Sequence, residues 1–222
     1  MAAQAAAARL SPEELNRVFL EYTGHREPTA EVRESLKTVS SSLTLLRALK
    51  PRALVHAGFA AASSTPPGET GCRSVVEEVC KLSLADLGSL EPGDLVALAW
   101  VVAISTYSFE NFNQEALMAA LGDEVSMRAP DFPAEDLAKI SVAFAELGLL
   151  HHKLMEAVAT EVMWKIDDLN AASTTAVLAA CSRIGYMHAT LFQWVASRVV
   201  GRVQDYSLHQ LTDVVDTLAK GK

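Results

Sequence analysis

FPAEDLAKISVAFAELGLLHHKLMEAV, residues 132–158, reads as two helical runs joined by a short turn at Gly148. After the pair His151–His152, Leu154 and Val158 open a stripe that continues through Val162 and Ile166, each step four residues long. That spacing keeps side chains on one face of a helix.

The stretch recurs. LNAASTTAVLAACSRIG (169–185) and YSLHQLTDVVDTLAKG (206–221) align with FPAEDLAKISVAFAELG (132–148), so the leading residues Phe132, Leu169 and Tyr206 stand 37 apart, twice. At the same offset Ile140 meets Val177 and Val214, Phe144 meets Cys181 and Leu218, and Gly148 meets Gly185. The second halves match too: Leu154, Val158, Val162 and Ile166 map onto Leu191, Val195, Val199 and Val203. The unit is helix, turn, helix, and a period of this length marks a stacked repeat array.

Looser copies begin at Leu10, Leu49 and Leu90, with second helices expected near 30–47, near 72–84 and along Leu117, Leu121 and Val125. Their extra length falls in STPPGETG and around YSFENFNQ, where insertions cost least. In LSPEEL, Ser11 is placed to cap a helix, Pro12 suits its first position and Glu14 completes a capping box. Leu10 and Leu15 then form a hydrophobic staple, repeated as Leu49/Leu54, Leu90/Leu95, Phe132/Leu137 and Tyr206/Leu211 and broken only at Leu169/Thr174. The expectation is one all-α domain over 1–222. It is an α-solenoid of about five helix-turn-helix repeats of ~37–42 residues plus a terminal helix, with units beginning near 10, 49, 90, 132, 169 and 206. The last copy carries a first helix only, either as a terminal cap or as part of a longer array.

Composition narrows the function. The chain has 222 residues, half of them hydrophobic but few aromatic. Ala, Leu and Val dominate, and Ala and Leu favour helices. The longest apolar run, LVALAWVVAI (95–104), is too short to span a membrane, so no membrane insertion is expected. The net charge is −8, unfavourable for nucleic acid, which is bound through basic faces. The acids concentrate in residues 1–131, with 17 Asp+Glu against 11 Lys+Arg. Cys72, Cys80 and Cys181 form no C-x-x-C pair and suggest no disulfide framework. The opening MAAQAAAARL is uninformative about targeting.

His151 recurs as His188, 19 residues after its anchor, and so reads as a turn or cap position; His152 aligns with Ala189. No zinc-protease motif, phosphate-binding loop or nucleophile elbow occurs. No catalytic residue, metal ligand or cofactor is therefore expected, and the chain is read as a non-enzyme. Cys72, Cys80 and Cys181 read as core, Glu77/Glu78, Asp123/Glu124 and Asp167/Asp168 as solvated surface, and Trp100, Trp164 and Trp194 as packing. One charged feature follows the repeat: Arg128, Lys165 and Arg202 stand 37 apart at the ends of second helices. They are cations either complementing helix dipoles or forming a ladder able to follow a phosphate backbone. Lys139, Lys153, Arg183 and Arg198 lie in the same region of sequence and would extend that edge.

The unit x-P-x-x-L-x-x-[IV]-x-x-x-[FC]-[AS]-x-x-G, with its apolar second helix, resembles degenerate helical-hairpin repeats of organelle RNA metabolism. These are the heptatricopeptide and octotricopeptide repeats, the Fas-activated serine/threonine kinase-like family and the RNA-editing substrate-binding complex proteins of mitochondria. LAKISVAFAELGLLHHKLMEAVATEV (137–162) carries the closest likeness. The resemblance implies a mitochondrial, or alternatively plastid, protein that binds single-stranded RNA or sits in a ribonucleoprotein assembly. No base-reading code accompanies it, since Glu14, Ala53, Asp94, Asp136, Ser173 and Gln210 occupy the corresponding position in the six units. The alternative is a protein-interaction scaffold of the same shape with no direct RNA contact, its acidic N-terminal part meeting a basic partner.

Overall fold

The computed structural model describes residues 10–22, 28–64, 70–105 and 113–220. Among them are twelve α-helices and no strand: α1 (Pro12–Glu21), α2 (Ala30–Ser41), α3 (Leu43–Arg47), α4 (Pro51–Ser64), α5 (Thr70–Ala85), α6 (Pro92–Ile104), α7 (Gln114–Arg128), α8 (Ala134–Glu146), α9 (His152–Trp164), α10 (Ala171–Arg183), α11 (Ala189–Gly201) and α12 (Leu208–Lys220). The fold is an all-α solenoid-like array of helical hairpins. STPPGETG, apart from its helical end, and most of YSFENFNQ lie outside the described residues, as does MAAQAAAAR.

Two compact units are distinguished, Met1–Gln114 and Glu115–Lys222. In the first, α4 packs on α1, α5 and α6, and α2 packs on α5. In the second, α10 lies between α8 and α12, while α9 packs on α8 and α11. First helices therefore stack on first helices and second on second, giving two layers.

The start and stop signals act as the sequence implies. The Ser11 amide donates to Glu14 Oε2 at 2.8 Å, while the Glu14 amide donates to Ser11 Oγ at 3.3 Å. Ser207 and Gln210 repeat this reciprocal cap in α12, and Asn170 Oδ1 accepts from the Ser173 amide at 2.8 Å. Gly148 and Gly185 take φ of 66° and 74°. That left-handed turn lets the Leu149 amide reach Phe144 O, and the Tyr186 amide Cys181 O, closing α8 and α10 with Schellman bonds.

The core follows the stripes. Leu137, Ile140, Phe144, Leu154, Val158 and Val162 are buried, as are Val177, Cys181, Leu191 and Val195. The broken staple is repaired by chemistry: Thr174 is buried and its hydroxyl donates to Asn170 O at 2.8 Å.

Two details differ from the sequence reading. The helix expected over 30–47 is interrupted at Ser42, whose φ of −149° leaves the helical region. The hydroxyls of Ser40 and Ser41 donate back to Lys37 O and Thr38 O, and such local bonds offer the backbone an alternative to the helix. Short 3₁₀ turns also precede four first helices, at Leu87–Ser89, Ala129–Asp131, Ile166–Asp168 and Val203–Asp205. Ile166 thus ends its stripe inside such a turn rather than on α9.

Gly148→Ala is expected to lower stability by about 1 kcal/mol, because Cβ strains the left-handed turn although no atom lies within 4 Å of it. Gly148→Asn should lose less, and urea midpoints compare the two.

Candidate interaction surface

The paired histidines are architectural. His151 precedes α9, and its Nδ1 accepts the Leu154 amide at 3.1 Å. His188 precedes α11, and its Nδ1 accepts the Leu191 amide at 3.0 Å. Each ring replaces the Ser or Asn hydrogen bond that usually satisfies a helix start. The ring of His151 also lies flat against α7: a Cβ built on Gly122 would come 2.7 Å from His151 Cδ2. Phe144 meets the ring edge-on at 6.2 Å. His152 is exposed and takes no part. His151→Ala is expected to cost about 1 kcal/mol of stability through loss of the cap, with His151→Asn recovering part of it, as read from urea unfolding.

The seven candidate cations are all engaged. Arg128 Nη1 lies 3.2 Å from Glu124, Lys165 Nζ 2.9 Å from Glu161, and Arg202 Nη2 3.6 Å from Asp167. Lys139 pairs with Asp136 at 2.8 Å and Lys153 with Asp123 at 3.1 Å. Arg183 pairs with Glu146, and Arg198, only 10% exposed, with the carboxylate of Asp167. Arg198 and Arg202 thus share one acid. Lys165 uses its other donors within the fold, giving hydrogen bonds to Pro130 O at 2.8 Å and Phe132 O at 3.0 Å. It fastens α9 to the turn before α8. Lys139 and Arg183 sit on first helices, whereas Arg128, Lys165 and Arg202 stand at the ends of second helices.

A shallow recess opens beside Lys165, lined by Asp131, Glu135, Asp136 and Asp168 as well as Phe132. Four carboxylates around one ammonium give it a negative potential, and phosphate would be repelled there.

The tryptophans depart from the packing role expected of them. Trp164 is 82% exposed and Trp194 53%, while Trp100 is half-buried. Met127, the repeat counterpart of Trp164, is 73% exposed. Trp164 and Met127 lie off the buried faces of α9 and α7 and Trp194 flanks that of α11, and nothing in the apolar spacing distinguishes them from core until the face is assigned. The acids depart as well: Glu77 and Glu78 are buried rather than solvated. Glu78 is held by Arg47 at 2.6 Å and Glu77 by Arg73 at 3.4 Å, pairing that makes burial tolerable.

Burial pushes the thiols of Cys80 and Cys181 up to about 12, away from reactive thiolate. The side chain of Cys72 lies outside the described residues. Among those described, no three His, Cys, Asp or Glu side chains converge as a metal site would require.

One polar junction escaped the sequence reading. His56 on α4 places Nδ1 2.6 Å from Tyr22 O at the end of α1, and Nε2 3.3 Å from Asp94 on α6. The ring therefore ties three stacked first helices together. A carbonyl and a carboxylate both call for donors, which the imidazolium alone supplies on both nitrogens. The bond to Asp94 raises the pKa of His56 above its usual value, against opposing desolvation. Stability from this junction is fully present below the ordinary imidazole value of about 6.5 and is lost as pH rises through the raised folded value. His56→Gln should therefore lose most stability relative to the native chain at low pH. The gap between their unfolding free energies should narrow above neutrality.

The family model described as RNA-editing substrate-binding complex 6 protein matches residues 77–219. The chain belongs to that family. The match runs from α5 to α12 and takes in the exposed tryptophans and all seven candidate cations. No curated protein matches the chain.

Proposed function

We propose that the chain is a non-catalytic helical-repeat component of an RNA-editing substrate-binding complex that holds protein partners within the assembly. The family supports membership in such a complex and, as a family of RNA-editing complex proteins, supports the mitochondrion as its compartment. The observation that favours a protein-binding role is the state of the basic residues. Every one of the seven candidates has a carboxylate oxygen within 3.6 Å. Phosphate would have to compete with those acids. Exposed Trp164, Trp194 and Met127 instead offer the large, amphipathic side chains that dominate protein interfaces.

A second reading keeps direct RNA contact. Trp164 adjoins Lys165, and an aromatic ring beside a cation is a platform on which a base can stack. In that reading Arg128, Lys165, Arg202, Lys139, Lys153, Arg183 and Arg198 guide the RNA backbone after exchanging their acid partners.

The tagged full chain, purified with its complex before and after nuclease treatment, separates the two. Trp164→Ala with Trp194→Ala is expected to reduce nuclease-resistant protein partners about tenfold or more. Titrating the isolated chain with a single-stranded oligoribonucleotide at low and high salt is expected to show little binding. Tight binding with a steep salt slope that flattens in Lys153→Ala/Arg183→Ala/Arg202→Ala would establish RNA contact instead.

A further inference from the structure

Trp164 stays uncovered in the interior of the array. It ends α9, a helix with neighbours on both sides: α11 packs on it, and His151 and Lys153 reach Asp123 of α7. Its 82% exposure therefore does not come from a missing neighbour. One repeat earlier, Met127 at the end of α7 is 73% exposed. One repeat later the register holds Gly201, where an added Cβ would meet nothing within 4 Å. The next unit thus contributes no side chain at this register.

The charge around these two side chains is one-sided. Within four residues of either stand six carboxylates, Asp123, Glu124, Asp131, Glu161, Asp167 and Asp168, and two cations, Arg128 and Lys165. Both cations are held by acids of their own helix, Glu124 and Glu161. Lys153 engages Asp123, and Arg198 and Arg202 engage Asp167. Asp131 and Asp168, both exposed, carry no ion pair among the described residues. They line the recess already described together with Glu135, whose partner is the neutral amide of Asn170 at 2.8 Å, and Asp136, which Lys139 neutralises. Lys165, the residue after Trp164, lines it too, with its ammonium fixed on Pro130 O and Phe132 O. The end of α9 is therefore a lip of this recess, and Asp131, Glu135 and Asp168 face it without a cation of their own.

We propose that the exposed ends of α7 and α9 dock an arginine-rich segment of a partner protein, with one guanidinium in the recess lined by Asp131 and Asp168 and a second stacked on the Trp164 indole. Guanidinium suits both places. Its planar fork pairs with carboxylates through two bonds and its face lies on an aromatic ring, whereas an ammonium is a point charge. The proposal rests on the reading of the chain as a protein-binding component and names the chemistry of the partner.

The test titrates the full chain into fluorescent peptides of alternating Arg and Gly, or Lys and Gly at the same charge, and reads anisotropy. The Arg peptide is expected to bind about threefold more tightly than the Lys peptide. Trp164→Ala should weaken it about threefold, and Asp131→Asn with Asp168→Asn about tenfold. Glu115→Gln with Asp216→Asn removes the same charge elsewhere and should leave binding unchanged. Equal loss in the two charge variants, or equal binding of the two peptides, overturns the proposal. So does binding of a labelled single-stranded oligoribonucleotide that is lost in Trp164→Ala. In the tagged chain isolated with its assembly after nuclease treatment, a photo-crosslinking amino acid at Met127 should link to an arginine-bearing stretch of a different polypeptide. A link to a second copy, within the same chain, to a stretch without arginine or to nothing overturns the docking. Partners lost in Trp164→Ala with Trp194→Ala but kept in Asp131→Asn with Asp168→Asn overturn this chemistry and leave the proposed function standing; the absence of any nuclease-resistant partner overturns both. If circular dichroism shows the double Asn variant losing helix, Trp164→Ala and the crosslink decide.

Discussion

The fold depends on burying one helix against its successor of the same kind. A single hairpin of this sequence has apolar residues on more than one side of its first helix, and a hairpin alone cannot cover them all. Ile140, Ser141 and Ala138 lie on different sides of α8 and all are buried, with α8 packed on both α9 and α10. Local signals cooperate with that demand. Glycines at left-handed turns, reciprocal caps at Ser11 and Ser207 and histidine caps at His151 and His188 fix where each helix stops and starts, so that successive faces meet in register.

Polar groups then fasten what the apolar faces bring together. Lys165 bonds to carbonyls in the turn that leads into α8, and Arg198 reaches back to Asp167. His56 joins α1, α4 and α6 through two ring nitrogens. Exposed ion pairs individually contribute little. Their significance here is also chemical: a cation already facing an acid is less available to a phosphate, which is why the structure shifts attention from charge to exposed aromatic surface.

The architecture was legible because period, cap and glycine are written directly in the sequence. Helix positions followed from the 37-residue register, and Leu169/Thr174 was visible as a break before its hydroxyl was seen to repair it. The site was less legible. Charges at a fixed period show where cations recur, but not that Asp167 serves both Arg198 and Arg202. Trp164 occupies an apolar stretch yet lies off the buried face, and Glu77 and Glu78 resemble surface acids until Arg73 and Arg47 are placed against them. Such pairings join residues distant in sequence, and no local pattern encodes them. The interruption at Ser42 was hidden for a different reason, since hydroxyls bond to the backbone without disturbing hydrophobic spacing.

The connections between helices divide the molecule's tolerance for change unequally. From the end of each second helix to the next first helix, beginning with α5, there are five or six residues; within hairpins there are five to nine. The inter-unit connection sets the rise from one layer to the next, and its 3₁₀ turn fixes both length and direction. The hairpin tip sets neither. Residues inserted at the tips leave the stacking distance unchanged, so diversity in this architecture is free to collect along one rim while the spine keeps its pitch.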